Sequence, residues 1–193
     1  MTIPLQKQNV DHVDHFDRIG MVGRWRPVHR GHQPVLRALC ERASHALIGI
    51  GSSNRYDLRN PFTLDETDAM IELVLSDYAN YMLIPVPDLD DGPRWRTMVI
   101  DLFGSLDLFV TDNPYVASLL AADYRVIRPV ELVPEDEKIP LDGTMVRRTM
   151  ARGDGWQDLV PTEVAAYIAA NGLDDRFRRE FGLKTLALDA IIS

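Results

Sequence analysis

The chain has 193 residues, a formal net charge of -8, 46% hydrophobic and 26% charged residues, and one cysteine. That is ordinary globular composition, enough for one well-buried core and too short for two full domains. The acidic balance argues against a general nucleic-acid or membrane-surface binder, whose affinity needs a basic face, so an anionic ligand must be held by a local basic pocket.

Residues 1–17 are polar and read as an N-terminal extension. Asp11, His12, Asp14, His15 and Asp17 within it are metal-ligand types, but a solvated leader offers no preorganised site, and no protein metal site is expected. No apolar run approaches the roughly 18 residues of a bilayer span, and no signal-like start is seen, so a soluble cytoplasmic protein is expected. From residue 18 onward, apolar runs at 19–23, 46–51, 82–86, 107–111 and 125–129 predict strands. Amphipathic stretches at about 31–43, 64–76, 93–103, 113–121 and 143–152 predict helices between and after them. The alternation implies parallel pairing through crossover helices: an α/β fold with a doubly wound, five-stranded parallel sheet over 18–152. Residues 153–193 read as a helical appendage packed on the same domain, with Pro161 opening one helix and Asn171-Gly172 closing it. The apolar tail Leu186 to Ile192 would dock on the body or on a second subunit. Cys40 repeats with Leu36, Leu39 and Ala43 at helical spacing, so it is a small core residue.

The chemistry concentrates at two junctions. Residues 23–32, Gly-Arg-Trp-Arg-Pro-Val-His-Arg-Gly-His, lie between the first strand and the first helix, at the carboxyl end of a strand where ligands of such sheets bind. A helix N-terminus offers unpaired amides and partial positive charge, and Gly31 has no side chain to keep a phosphate away. His29 and His32 would then face one anionic group. A second such loop is Asp142-Gly143-Thr144-Met145-Val146-Arg147-Arg148, where Asp142 or Thr144 can cap a helix. Arg147, one turn in, carries a guanidinium fork matched to phosphate oxygens.

Together these segments resemble the H-x-G-H and I-S-x-T-x-x-R motifs of the nucleotidylyltransferase superfamily. The likeness is closer to the archaeal-type nicotinamide mononucleotide adenylyltransferases, and it covers most of residues 18–171. It includes Gly23 to His32 against G-R/K-F-Q-P-F-H-x-G-H, Ile48-Gly49-Ile50-Gly51-Ser52, and Asn60-Pro61-Phe62-Thr63 against N-P-F-T. It continues through Pro85-Val86-Pro87-Asp88-Leu89, Asn113-Pro114-Tyr115-Val116 against N-P-L-V, and Trp156-x-x-Leu159-Val160-Pro161. The resemblance implies attack of a mononucleotide 5'-phosphate on the α-phosphate of ATP, with Mg²⁺ accompanying ATP, pyrophosphate leaving and no covalent enzyme intermediate. It implies that His29, His32 and Arg147 serve the phosphates as catalytic groups, and that Gly23, Arg24, Trp25, Gly31, Asn60, Trp95, Asn113, Gly143 and Thr144 bind substrate, with Trp95 stacking on the nicotinamide ring. It also implies a homo-oligomer. Alternatives are another member of the superfamily, using CTP or ATP with a different phosphate acceptor, and a nucleotide-binding regulator without turnover.

Three departures from the pattern involve five positions. Its Ser is Asp142, a carboxylate that would repel a triphosphate unless it turns away as a cap. Its Gln and two Phe are Arg26, Trp25 and Val28, which reshape the pocket wall and add a cation. Its Asn three residues before the tryptophan is Gly92. Arg94 and Arg96 flank Trp95, which suggests nicotinate rather than nicotinamide as the base.

Overall fold

Residues 15–192 are described by the computed structural model. Five strands, β1 (Phe16–Gly23), β2 (Ala43–Gly51), β3 (Tyr81–Val86), β4 (Leu108–Val110) and β5 (Val126–Ile127), form one sheet in the order β3-β2-β1-β4-β5, every pair parallel. The helices are α1 (Gln33–Arg42), α2 (Leu64–Val74), α3 (Gly92–Phe103), α4 (Pro114–Leu120), α5 (Gly143–Arg152), α6 (Thr162–Ala170), α7 (Leu173–Phe177) and α8 (Leu183–Ile192). The order reverses at β1, whose two neighbours are β2 and β4, so the carboxyl ends of β1 and β4 open a crevice at the switch point.

Strand alternation sends side chains to two cores, one on each face. Ile19, Met21, Ile48, Ile50, Leu108 and Val110 face the core shared with α1, α2 and α5. Leu47, Ile84, Val86 and Phe109 face the smaller core with Val99, Phe103 and Leu120. Gly20 and Gly49 make room there for Phe103: a Cβ would fall 2.8 and 2.9 Å from its ring. α2 begins with a reciprocal cap, Thr63 Oγ1 accepting from the Glu66 amide and Glu66 accepting from the Thr63 amide. Glu66 is also gripped by Arg176 of α7 at 2.5 and 2.6 Å, which ties the C-terminal helices to α2. α8 and the π-helical turn Arg178–Gly182 before it lie against α5.

Two boundaries differ from the sequence reading for identifiable reasons. β1 starts at Phe16, inside the predicted extension, because it pairs with Ala43 at the start of β2, and the Asp17 and Arg18 amides donate to Asp107 Oδ2 at 2.8 and 3.0 Å. The fifth strand stops at Ile127 because Pro129, which has no N–H to donate, opens a 3-10 turn, Pro129–Glu131. Of the acidic and histidine cluster, Asp11, His12 and Asp14 lie outside the described residues, while His15 Nε2 lies 3.2 Å from Ser44 Oγ. Among the described residues no helix is long and apolar enough to cross a membrane.

Candidate active site

The loop from Gly23 to His32 is held from below. Trp25 has a left-handed φ of 55°, a conformation that costs a bulky residue about 1–3 kcal/mol. It is retained because the indole is fully buried, lies against Gly23 and donates from Nε1 to Gly49 O at 2.9 Å. Arg26 precedes a cis peptide to Pro27 and turns away from the crevice. Its guanidinium is 2% exposed and donates to Thr67 Oγ1, Ser52 O and Asn60 Oδ1. Burial lowers its pKa, with Asp57, Asp88 and Asp68 opposing that shift. The Arg30 amide donates to Leu159 O at 3.0 Å, fastening the far side of the loop to the C-terminal segment.

His29 and His32 stack with ring centroids 3.5 Å apart, and the Trp25 ring meets His32 edge-on at 4.8 Å. Desolvation depresses the His29 pKa to about 4, Asp142 pulling the other way and Arg147 reinforcing the fall. Burial and the neighbouring His29 push His32 well below the usual imidazole value. Both rings are therefore neutral at pH 7. The His29 amide points at His32 Nδ1, 3.4 Å away, which makes that nitrogen an acceptor and leaves Nε2–H as the donor. His29 Nδ1 is buried with no partner among the described residues, and Gly31 lies beside it, where a Cβ would come within 3.1 Å of that nitrogen.

The facing loop comes from α5. Arg147 Nη1 donates to Arg26 O at 3.0 Å and Nη2 to Thr144 Oγ1 at 3.3 Å, so the two sequence motifs touch directly. Burial lowers the Arg147 pKa to about 10, and the nearby cations Arg24 and Arg59 add to the fall. Cations that repel one another in the crevice gain by taking up an anion. Asp142 Oδ1 accepts from the Thr144 and Met145 amides at 2.7 and 2.9 Å, capping α5. Burial raises its pKa, but those two hydrogen bonds with His29 and Arg147 bring it below the ordinary carboxylate value.

Two cavities share the wall formed by Met21, Asp112 and Pro129. The larger, about 680 Å³, opens between the ends of β1 and β4, with Arg24, Trp95, Asn113 and Tyr115 on its walls. The smaller, about 390 Å³, runs past His29, Gly31 and His32 to Gly143, and its far wall of Val130, Val133, Ile139 and Leu141 is apolar.

The chain is 35% identical over 153 residues to the nicotinamide-nucleotide adenylyltransferase of Methanococcus vannielii, covering 78% of this chain and 87% of that one. To the protein of that name from Thermococcus kodakarensis it is 36% identical over 153 residues, covering 76% and 79%. This chain belongs to the nicotinamide-nucleotide adenylyltransferase family. Solved structures agree on the Rossmann-like fold. The bifunctional NMN adenylyltransferase/ADP ribose pyrophosphatase of Francisella tularensis superposes with a TM-score of 0.67 at 17% identity, over 92% of this chain and 54% of that one. The Plasmodium falciparum nicotinic acid mononucleotide adenylyltransferase complexed with APC gives 0.55 at 10% identity, over 83% and 98%. No family model matches the chain.

Within this adenylyltransferase the expected site residues separate into groups. Gly23, Arg24, Trp95 and Asn113 line the larger cavity, and His29, His32, Gly31 and Gly143 the smaller. Arg147 and Thr144 stand beside Asp142 and Arg24 without lining either. Trp25 and Asn60 are buried behind the loop and line neither of these two cavities. Asn60 binds Arg26 and Asp57, and Thr63 of the same segment caps α2, so Asn60-Pro61-Phe62-Thr63 shapes the scaffold. The added cation is corrected, since Arg26 serves Ser52, Asn60 and Thr67 rather than the crevice. The helix N-termini are less open than expected. His29 O already takes the His32 and Gln33 amides, Pro34 has none, and Asp142 takes two at α5. Finally, Arg96 is locked to Asp123 at 2.8 and 2.7 Å, and neither Arg94 nor Arg96 lines the larger cavity, so the argument for nicotinate loses its cations. Sequence reasoning missed Asp112, which borders both cavities, and Arg59, which bears on Arg147; nothing in their local spacing marks them.

Proposed function

We propose that the protein transfers the AMP part of ATP to nicotinamide mononucleotide, releasing pyrophosphate and giving a dinucleotide of the NAD type. The observation that carries this reading is the pair of cavities meeting at Met21, Asp112 and Pro129, with His29 and His32 on one side and Arg24 on the other. The small apolar-walled cavity suits adenine, and the larger one, with Trp95, suits a second flat base. At the junction a 5'-phosphate oxygen forms the new bond to the α-phosphorus as the bond to the bridging β-oxygen breaks. Catalysis is then mainly positioning and charge stabilisation.

In this reading the neutral imidazoles of His29 and His32 donate to oxygens of the α- and β-phosphates. Rising negative charge at bound phosphate would raise their pKa and strengthen those bonds. Arg147, held by Arg26 O and Thr144, receives the departing β,γ end, and Arg24 aligns the incoming phosphate. Mg²⁺ would arrive with the triphosphate, most of its ligands being phosphate oxygens and water. Asp112, whose Oδ1 also accepts from Arg128 Nε at 2.9 Å, would hold it at the junction, and the ion would supply neutralisation of phosphate charge. The base is read as the amide by likeness to the nicotinamide-nucleotide relatives, since the rim carboxylates Asp88 and Asp90 are paired with Arg55 and Asp112 with Arg128.

The test is a pyrophosphate-release panel of ATP and CTP against nicotinamide mononucleotide, nicotinate mononucleotide and phosphopantetheine. ATP with nicotinamide mononucleotide should be fastest, and His32→Ala should abolish most of that rate. A faster pairing with CTP or phosphopantetheine would overturn the reading.

A further inference from the structure

The larger cavity contains a polar group that neither motif uses. Gly92 opens α3 and Tyr115 stands in the first turn of α4, on facing walls. A Cβ on residue 92 would lie 2.1 Å from Tyr115 Oη and 3.1 Å from its Cζ, so the tip of the phenol fills the space that any side chain at 92 would need. The ring is 59% exposed, yet its hydroxyl has no hydrogen-bond partner among the described residues. Trp95 lies three residues beyond Gly92, on the same side of α3, and lines the same cavity. A flat apolar platform and an uncommitted hydroxyl therefore flank one place. The pattern that the chain resembles has Asn and Leu at positions 92 and 115, whereas here the polar group comes from the other wall.

We infer that Tyr115, admitted by Gly92, is the residue that reads the substrate's base, its Oη donating to the carboxamide carbonyl while the pyridine ring lies on Trp95. The inference rests on the nicotinamide mononucleotide reading above. A neutral hydroxyl donor suits the amide carbonyl, and the nearby rim carboxylate Asp91, unlike Asp88 and Asp112, is not paired with Arg55 or Arg128. The mirror-image arrangement, with the hydroxyl serving adenine, is disfavoured by distance along the crevice, because Tyr115 lines only the larger cavity.

The experiment uses the intact enzyme and three variants, with KM for each substrate and kcat from initial rates of pyrophosphate release. Tyr115→Phe removes only the hydroxyl, and Gly92→Ala adds the methyl that displaces it. Each should raise KM for nicotinamide mononucleotide about 3- to 10-fold, the worth of one neutral hydrogen bond, with kcat and KM for ATP within about twofold of wild type. The double variant should be no worse than the weaker single one, because both remove the same contact. An unchanged KM for the mononucleotide in Tyr115→Phe, or an effect on ATP instead, overturns the assignment. Absence of turnover in the wild-type enzyme with either pyridine mononucleotide would instead overturn the reading on which it rests.

Discussion

Asp142→Asn separates two roles of one side chain. The carboxylate caps α5 through the Thr144 and Met145 amides, and it also puts a negative charge beside His29 and Arg147. Asparagine caps as well as aspartate, so the helix start survives, and only the charge is lost. A unit charge acting on one phosphate charge at about 8 Å with an effective dielectric of about 20 is worth roughly 2 kcal/mol. Asp142 is exposed, so solvent and salt reduce this to about 1 kcal/mol, or about fivefold in affinity. KM for ATP, measured by continuous pyrophosphate release at saturating mononucleotide, should fall about fivefold at low ionic strength. The gain should shrink as salt is raised. The melting temperature should move by no more than about 2 °C, since roughly 2–4 °C corresponds to 1 kcal/mol at this size. A KM for ATP that stays the same or rises at low salt, with an unchanged melt, would refute the claim that this charge opposes the triphosphate.

Other perturbations test the remaining contacts. His29 titrates near 4 in the folded chain against 6.5 unfolded, so between those values the unfolded state binds more protons and stability rises with pH. Acidification through that window should remove about 3 kcal/mol, and His29→Gln should flatten the dependence of melting temperature on pH; an unaltered slope would contradict it. Arg147→Lys keeps the charge but loses the fork that spans Arg26 O and Thr144 Oγ1, and kcat/KM for ATP should drop about 10- to 100-fold with little change in melting temperature. Arg26→Ala leaves Ser52 O and Asn60 Oδ1 without their buried donor, which should cost about 2–3 kcal/mol and appear as a lower melting temperature.

What was legible in the sequence follows from which features repeat. Strand alternation and helical spacing are properties of the whole run, and they carry over to the structure because β1, β2 and β4 bury alternate residues in opposite cores. Motif residues that point along an element, such as His29, His32 and Arg147, also come together as their spacing implied. The irregular turns between them have no period, so the direction of a side chain there is decided by neighbours distant in sequence. Arg26 could not be assigned to crevice or interior from residues 23–32, because what draws it inward is Ser52, Asn60 and Thr67 on another segment.

The same logic explains where this chain departs most from its family pattern. A buried guanidinium needs partners on several sides; Ser52 O and Asn60 Oδ1 take Nη1 and Thr67 Oγ1 takes Nε, while Nη2 is buried without a partner among the described residues. The carbonyl of Arg26 is thereby fixed, and that carbonyl is what Arg147 grips from the other half of the site. A substitution that seemed to add charge to the pocket instead sets the floor on which Arg147 is held. Its effect on catalysis must therefore pass through the position of Arg147. Arg26→Gln should lower kcat/KM for ATP more in an Arg147 background than in Arg147→Lys, and equal losses in both would show that the two act separately.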